Sequence, residues 1–347
     1  MTRTYLDWNA TAPLRPEARA AMIDAMDVLG NPSSVHGEGR AAKSIVQKAR
    51  DQIAQAFGAA GSDIVFTASA TEAAALAMNG QGLSCAAVEH DCVTAWCESN
   101  LLCDDNGLVG VSDPKNSTLQ AVNSEVGTVQ NLPDGLACVD FVQAFGKIPV
   151  AFDWSGAQTG LLSAHKIGGP KGVGALVVRK GIDLKAQIKG GGQEQGRRAG
   201  TENVIGIAGF GAAAQAAARD LDVGVWQDVA HKRDLLEARL QDECHELIVF
   251  AQGVKRLPNT SYFAAPGWKG ETQVVQMDLA GFAISAGSAC SSGKVKASQV
   301  LLAMGYNENT AASAVRVSIG PATTEQEIQR FADAWITQYK RFAARAA

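Results

Sequence analysis

Ser163-Ala164-His165-Lys166-Ile167-Gly168-Gly169-Pro170-Lys171-Gly172-Val173-Gly174 places one lysine between a Ser/His pair and a glycine-rich run. Backbone crowds Lys166 there, and a lysine stripped of water gives up its proton more readily, as imine chemistry requires. Lys171, in the same neighbourhood, is expected at the surface or in a structural role. Upstream, Asp140-Phe141-Val142-Gln143 sets an acid and an amide near the end of the apolar run Ala137 to Phe141. Downstream, Cys290 sits in Ser285-Ala286-Gly287-Ser288-Ala289-Cys290-Ser291-Ser292-Gly293, a run of small residues that would give a nucleophilic thiol access. No single piece decides. The set points to pyridoxal-phosphate chemistry that ends on a cysteine thiol.

Working outward, short apolar runs alternate with helical patterns through the first two thirds of the chain. Ala41 to Phe57 carries Ile45, Ala49, Ile53 and Phe57 on one face and stops at Gly58, the pattern of a helix. Asp63 to Thr67 reads as a buried strand, and Ala70-Thr71-Glu72 opens a helix to about Met78. Ser84 to Val88, Ala137 to Phe141 and Gly174 to Val178 are further strand-like runs. This predicts an α/β domain with a mostly parallel sheet. The last third differs: helix Val225 to Cys244, strands Leu247 to Phe250, Thr260 to Phe263 and Val315 to Ile319, then a helix from Thr324. That helix carries a capping box (Thr324 with Glu327) and the stripe Ile328, Phe331, Trp335, Ile336, Tyr339. The expected division is a large domain over 15–225 and a small α+β domain over 226–347 joined by segment 1–14.

Composition narrows the function. The chain has 347 residues, 46% apolar and 19% charged, with a net charge of −4 and no basic patch interleaved with aromatics. Nucleic acid and anionic membrane are therefore not expected partners. The opening Met1 to Asp7 lacks an apolar run, so no secretory signal is expected, and no stretch reads as a membrane span. Seven cysteines without CxxC pairs fit reduced thiols and a cytoplasmic protein rather than disulfides or a metal site. Cys85, Cys138 and Cys244 read as buried and inert; Cys92, Cys97 and Cys103 are expected on surface helix.

A pyridoxal-phosphate site needs a Schiff-base lysine, an acid for the ring nitrogen, a donor for the ring hydroxyl, a phosphate cradle and a stacking group. Asp140, at a strand's C-terminal end, suits the ring nitrogen, with a helix N-cap as its plain alternative. Gln143 can reach the ring oxygen. Thr67-Ala68-Ser69-Ala70-Thr71 offers hydroxyls and N–H groups for a phosphate, Thr71 foremost, although an ordinary cap uses the same geometry. His90 ends the run Cys85 to His90 and could stack on the ring or be structural. Arg316 is a planar fork suited to a carboxylate, or a structural ion pair. The loop Gly190 to Asn203 is too glycine-dense and polar to read as plain connection.

These residues resemble the cysteine desulfurases of the NifS/IscS type, in the class V aminotransferase group of fold-type I pyridoxal-phosphate enzymes. The likeness runs from Tyr5-Leu6-Asp7-Trp8-Asn9-Ala10-Thr11 and Gly30 to His36 through Phe66 to Glu72, Val88-Glu89-His90 and Asp140 to Gln143. It continues over Ser163 to Lys166, Gly190 to Asn203, the Cys290 run and Val315 to Ile319. The resemblance implies a sheet of the seven-stranded type flanked by helices. It also implies that Lys166 holds the cofactor and moves the substrate α-proton, with His90 stacking and acting as acid/base. Asp140 would pair with the ring nitrogen and Gln143 with the ring hydroxyl. Thr71, Ala70, Ser163 and His165 would bind phosphate, with Thr201 reaching in from a second subunit of a homodimer. Arg316, Asn31 and Ser124 would line the substrate, and Cys290 would take the sulfur of L-cysteine as a persulfide, leaving alanine. A sulfur-acceptor or iron–sulfur scaffold protein would be the partner, for cluster assembly or thio-modification. Three departures stand out: Ser124 where the family has a second asparagine, Ser69 where glycine is common, and a short interval from His90 to Asn123, which implies trimming at the sheet's edge. Other readings are a selenocysteine lyase or another class V activity, and a low-turnover sulfur-relay partner.

Overall fold

The computed structural model describes residues 3–287 and 297–346. Its central sheet has the order Ser62–Thr67, Gly174–Arg179, Thr159–Ser163, Cys138–Asp140, Thr118–Gln120. Gly174–Arg179 is antiparallel to both neighbours, and the other pairs are parallel. A parallel bridge between Ser84 and Ser117 continues the sheet into Ser84–Ala86, itself parallel to Glu98–Leu101. Seven strands thus lie side by side, all but Gly174–Arg179 running one way.

Strands buried on both faces read as apolar runs because successive side chains alternate between two cores. Ile64, Phe66, Val139, Leu162 and Val177 face one core, which packs on Val46, Ala49, Ile53, Phe57, Ile207 and Phe210. Val65, Cys138, Leu161, Leu176 and Val178 face the other, under Ala73, Leu76 and Met78 of helix Ala70–Met78. Helices Pro16–Met26 and Gly37–Ala56 both pack on helix Val204–Asp222. Phe57 meets Phe141 and Phe145 edge-on, each at 5.0 Å between ring centroids.

The last third builds a second layer. Ala314–Ser318, Thr260–Ala264 and Ile248–Val249 form an antiparallel sheet. Helix Glu325–Ala346 lies over it, with Trp335 edge-on to Phe263 at 5.5 Å. The capping box is reciprocal: Glu327 N donates to Thr324 Oγ1 at 3.2 Å, and Thr324 N donates to Glu327 Oε2 at 2.9 Å. The chain's first strand, Thr4–Tyr5, pairs in parallel with Phe282–Ala283, and Leu6 enters the same core as Trp226, Phe331 and Trp335. The interval from His90 to Asn123 keeps the one-turn helix Asp91–Thr94 and the exposed edge strand Glu98–Leu101. Of the three cysteines expected on surface helix, Cys92 lies in that helix but is buried, while Cys97 and Cys103 are half-buried outside any helix. No helix among the described residues is long and apolar enough to cross a membrane.

Candidate active site

Because all but one of the strands share a direction, their C-terminal ends share an edge, where open α/β sheets bind ligands. Asp140 ends one strand, and Ser163 ends the next and leads into the tight turn Ala164–Lys166. Thr67 ends a third, and helix Ala70–Met78 begins beyond it. Gly174, opposite both Thr67 and Ser163, opens the antiparallel strand on the same edge. A Cβ on Gly174 would lie 2.5 Å from Ser69 C and 2.9 Å from Ala70 N, so only glycine lets the turn close down on the sheet. Ser69 caps the helix by accepting from Glu72 N at 3.2 Å, and Thr71 is exposed in its first turn. Three ion pairs pin the loop from Gly190 to Asn203 here: Arg198–Glu72 at 2.8 Å, Arg197–Asp63 at 2.7 Å and Arg50–Glu194 at 2.9 Å.

Asn9 lies at the centre. Its backbone oxygen accepts from Lys166 Nζ at 2.5 Å and from Gln143 Nε2 at 3.0 Å. Its side-chain oxygen accepts from Lys147 Nζ at 3.1 Å and Asn259 Nδ2 at 3.0 Å, while its amide donates to Thr260 Oγ1 at 2.8 Å. One residue therefore joins the lysine turn, the Asp140–Gln143 turn and the small sheet. His165 Nδ1 lies 3.2 Å from Thr11 Oγ1. Burial and the neighbouring Lys166, Lys171 and Lys147 lower its pKa to about 4.

Asp140 is buried, and its Oδ1 accepts from Val142 N at 2.8 Å in a turn rather than capping a helix. Burial pushes its carboxyl above the usual range, against the pull of Val142 N, His90 and Lys166. Glu89 is buried beside it and pushed up further, first by burial and then by the Asp140 charge. A cation placed beside Asp140 would offset the burial that disfavours its charged form, and a protonated ring nitrogen is such a cation. His90 caps helix Asp91–Thr94, its Nδ1 accepting from Cys92 N at 3.1 Å. It follows a turn after Ala86 rather than the strand itself.

Arg316, on strand Ala314–Ser318, is buried and held by Asp7 Oδ1 and the Ser124 carbonyl oxygen, each at 2.9 Å. Of the two expectations for Arg316, the structural ion pair is present, with Asp7 as its partner. Among the described residues Arg316 Nε has no hydrogen-bond partner although it is buried, a donor waiting for an acceptor. Ser285 Oγ donates to the other oxygen of Asp7 at 2.8 Å. Buried Glu125 accepts from Tyr262 OH at 3.0 Å and Ser298 Oγ at 2.5 Å. These contacts anchor the described residues flanking 288–296, and Cys290 itself lies outside the described residues.

Lys166, Asp140, Gln143, His90, Ser163, His165, Ser124 and Arg316 are thus linked by direct contacts, by shared partners or by a common strand edge. Asn31 and Thr201 are exposed, and Asn31 Oδ1 accepts only locally, from Ser33 N at 2.9 Å. Lys171 is exposed, as expected of it. Asp7, Asn9, Glu89 and Lys147 were given no role from the sequence. The first three stand in quoted motifs, so proximity to those motifs was a usable signal; Lys147 had none. A helix start packed on the strand edge at Gly174, two buried acids and, among the described residues, an unpartnered guanidinium nitrogen fit pyridoxal phosphate together with an amino-acid carboxylate.

The family model "Aminotransferase class-V" matches residues 4–98 and 111–331. The chain belongs to the class-V aminotransferase family. This family is pyridoxal-phosphate dependent, and the sheet and site described above have its fold-type I architecture. Cysteine desulfurase IscS of Dictyoglomus turgidum is 34% identical over 360 residues, covering 93% of this chain and 91% of that protein. A cysteine desulfurase of Cereibacter sphaeroides is 37% identical over 368 residues, covering 95% and 94%. Among solved structures, a NifS-like protein from Rickettsia africae superposes with a TM-score of 0.89 at 29% identity, covering 97% of this chain and 99% of that one. Within the family match, residues 99–110 are skipped, and they fall in the short interval between His90 and Asn123.

Proposed function

We propose that this class-V chain is an L-cysteine desulfurase, converting L-cysteine to L-alanine and passing the sulfur to Cys290 as a persulfide. The observation that carries the reading is the Asn9-centred network, which sets Lys166 and Gln143 on one oxygen and reaches Arg316 through Ser124 and Asp7. Bound pyridoxal phosphate supplies an electron sink for the pair left when a substrate α-proton departs. Lys166 would hold the cofactor and carry that proton, and Asp140 would face the ring nitrogen. Gln143 would donate to the ring hydroxyl, and His90 would cover the ring and act as acid/base. Thr71, Ala70, Ser163 and neutral His165 would receive the phosphate, with Thr201 of a second subunit completing the cradle in a homodimer. Arg316, held by Asp7, would take the amino-acid carboxylate, and Ser124 and Asn31 would line the substrate. The Cys290 thiolate then forms an S–S bond as the substrate C–S bond breaks, and the substrate carbon takes up a proton to become alanine.

We also read the chain as a large domain over 15–225, built on the central sheet, and a small domain over 226–347 with segment 1–14. The reduced thiols favour a cytoplasmic protein that passes sulfur to an acceptor protein. Release of alanine and sulfide from L-cysteine under reductant tests the reaction. The Cys290→Ser variant should keep its bound cofactor and lose both products. Full activity in that variant would remove the thiol from the mechanism and favour a lyase.

A further inference from the structure

Lys147 is 2% exposed and forms no ion pair with a carboxylate among the described residues. Its Nζ donates to Gln143 Oε1 at 2.6 Å and to Asn9 Oδ1 at 3.1 Å. The charged groups that act on it are Lys166 and Arg316, both cations, and with burial they hold its pKa far below that of a solvated lysine. A buried amine without an anion costs stability, so its retention calls for a role.

We infer that Lys147 is a positioning residue: it holds the Gln143 amide with its oxygen turned inward, so that the NH2 group alone faces the ring hydroxyl of the cofactor. The inference rests on the proposed role of Gln143. A primary amide has a donor end and an acceptor end of nearly equal shape, and only its neighbours decide which points where. Here Lys147 donates to the Oε1 end and the Asn9 carbonyl accepts from the Nε2 end, so both neighbours favour one orientation. Asn9 Oδ1 is committed as an acceptor by Asn259, and Lys147 sends one hydrogen to it and another to Gln143 Oε1. Gln143 Nε2 then gives one hydrogen to the Asn9 carbonyl at 3.0 Å and keeps its second. Turning the amide over would set its oxygen against that carbonyl and its NH2 against the lysine. Lys147 lies four residues after Gln143 and reaches it from inside the protein, so it acts through Gln143 and touches neither cofactor nor substrate.

A donor on the ring oxygen lowers the proton affinity of the lysine–cofactor linkage, and the visible absorption band of the holoenzyme reports that proton. The test compares the pH titration of this band in the native protein, Lys147→Met, Gln143→Leu and the double variant. Lys147→Leu is the substitute should methionine not be accommodated. Lys147→Met should move the midpoint up by roughly one pH unit, the size of one hydrogen bond. Gln143→Leu should move it at least as far, and the double variant no further than Gln143→Leu alone. A native midpoint in Lys147→Met beside a shifted one in Gln143→Leu overturns the inference and spares the role of Gln143. Additive shifts in the double variant overturn it as well. An unshifted Gln143→Leu overturns both.

Discussion

His165 shows how a single side chain is tuned by its neighbours. A histidine folded with its pKa lowered to about 4 binds no proton where the unfolded chain, with a value near 6.5, still does. Its contribution to stability is therefore complete above about pH 6.5 and is lost as pH falls toward 4. Its ring resonances in an NMR titration should stay in the neutral position from about pH 8 down to about pH 5. A midpoint near 6.5 would mean that neither burial nor the neighbouring Lys166, Lys171 and Lys147 acts on it. A neutral ring meets a phosphate without a charge of its own, with Thr11 Oγ1 beside its Nδ1.

Among the elements, the turn from Thr67 to Thr71 depends on a residue more than a hundred positions away. Gly174→Ala would drive a methyl group into Ser69 C, Leu162 O and Ala70 N, all of them backbone. We expect about 1–3 kcal/mol of destabilisation in denaturant melts and weaker cofactor retention on dialysis. An alanine variant with native retention would show that the turn does not form the phosphate cradle. Elements with a clear period were legible in advance: helix Ala70–Met78 as bounded, the core of helix Gly37–Ala56, and the reciprocal Thr324–Glu327 cap. Helix Val204–Asp222 was not, because it is buried nearly all round and carries no polar face to set a period. Its Gly211 shows why: a Cβ there would meet Ala49 Cα at 2.6 Å, so the helix is chosen for close approach rather than amphipathicity. Three-residue strands such as Thr118–Gln120 are too short for alternation to register. At the site, the residues that would meet the cofactor were legible because their chemistry is distinctive. Lys147 was not, since a lysine in a Gly-Lys-Ile-Pro turn reads as solvated until its burial is seen.

On the scale of the whole molecule, the decisive contacts are long-range. Thr4–Tyr5 pairs with Phe282–Ala283, Asn9 bonds Asn259 and Thr260, and its backbone N donates to Ser318 Oγ at 3.0 Å. Arg316 in turn needs Asp7. Residues 4–11 thus complete a site whose other members come both from the central sheet, through Gln143 and Lys166, and from the last third, through Thr260 and Arg316. During synthesis, residues 4–11 have only half of their seat, on Gln143, His165 and Lys166, until Thr260 and Ser318 have left the ribosome. On this geometry we expect cofactor capture by the released polypeptide rather than the nascent one. Chains arrested before Thr260 emerges should bind no pyridoxal phosphate, and full-length released chains should bind it, as measured by fluorescence of the purified complexes. Retention by the arrested chains would show that the central sheet alone can hold the cofactor. Strand Thr4–Tyr5 and the residues after it are in this sense a timing device: an assembly-line check that withholds a reactive aldehyde until both halves of their seat exist.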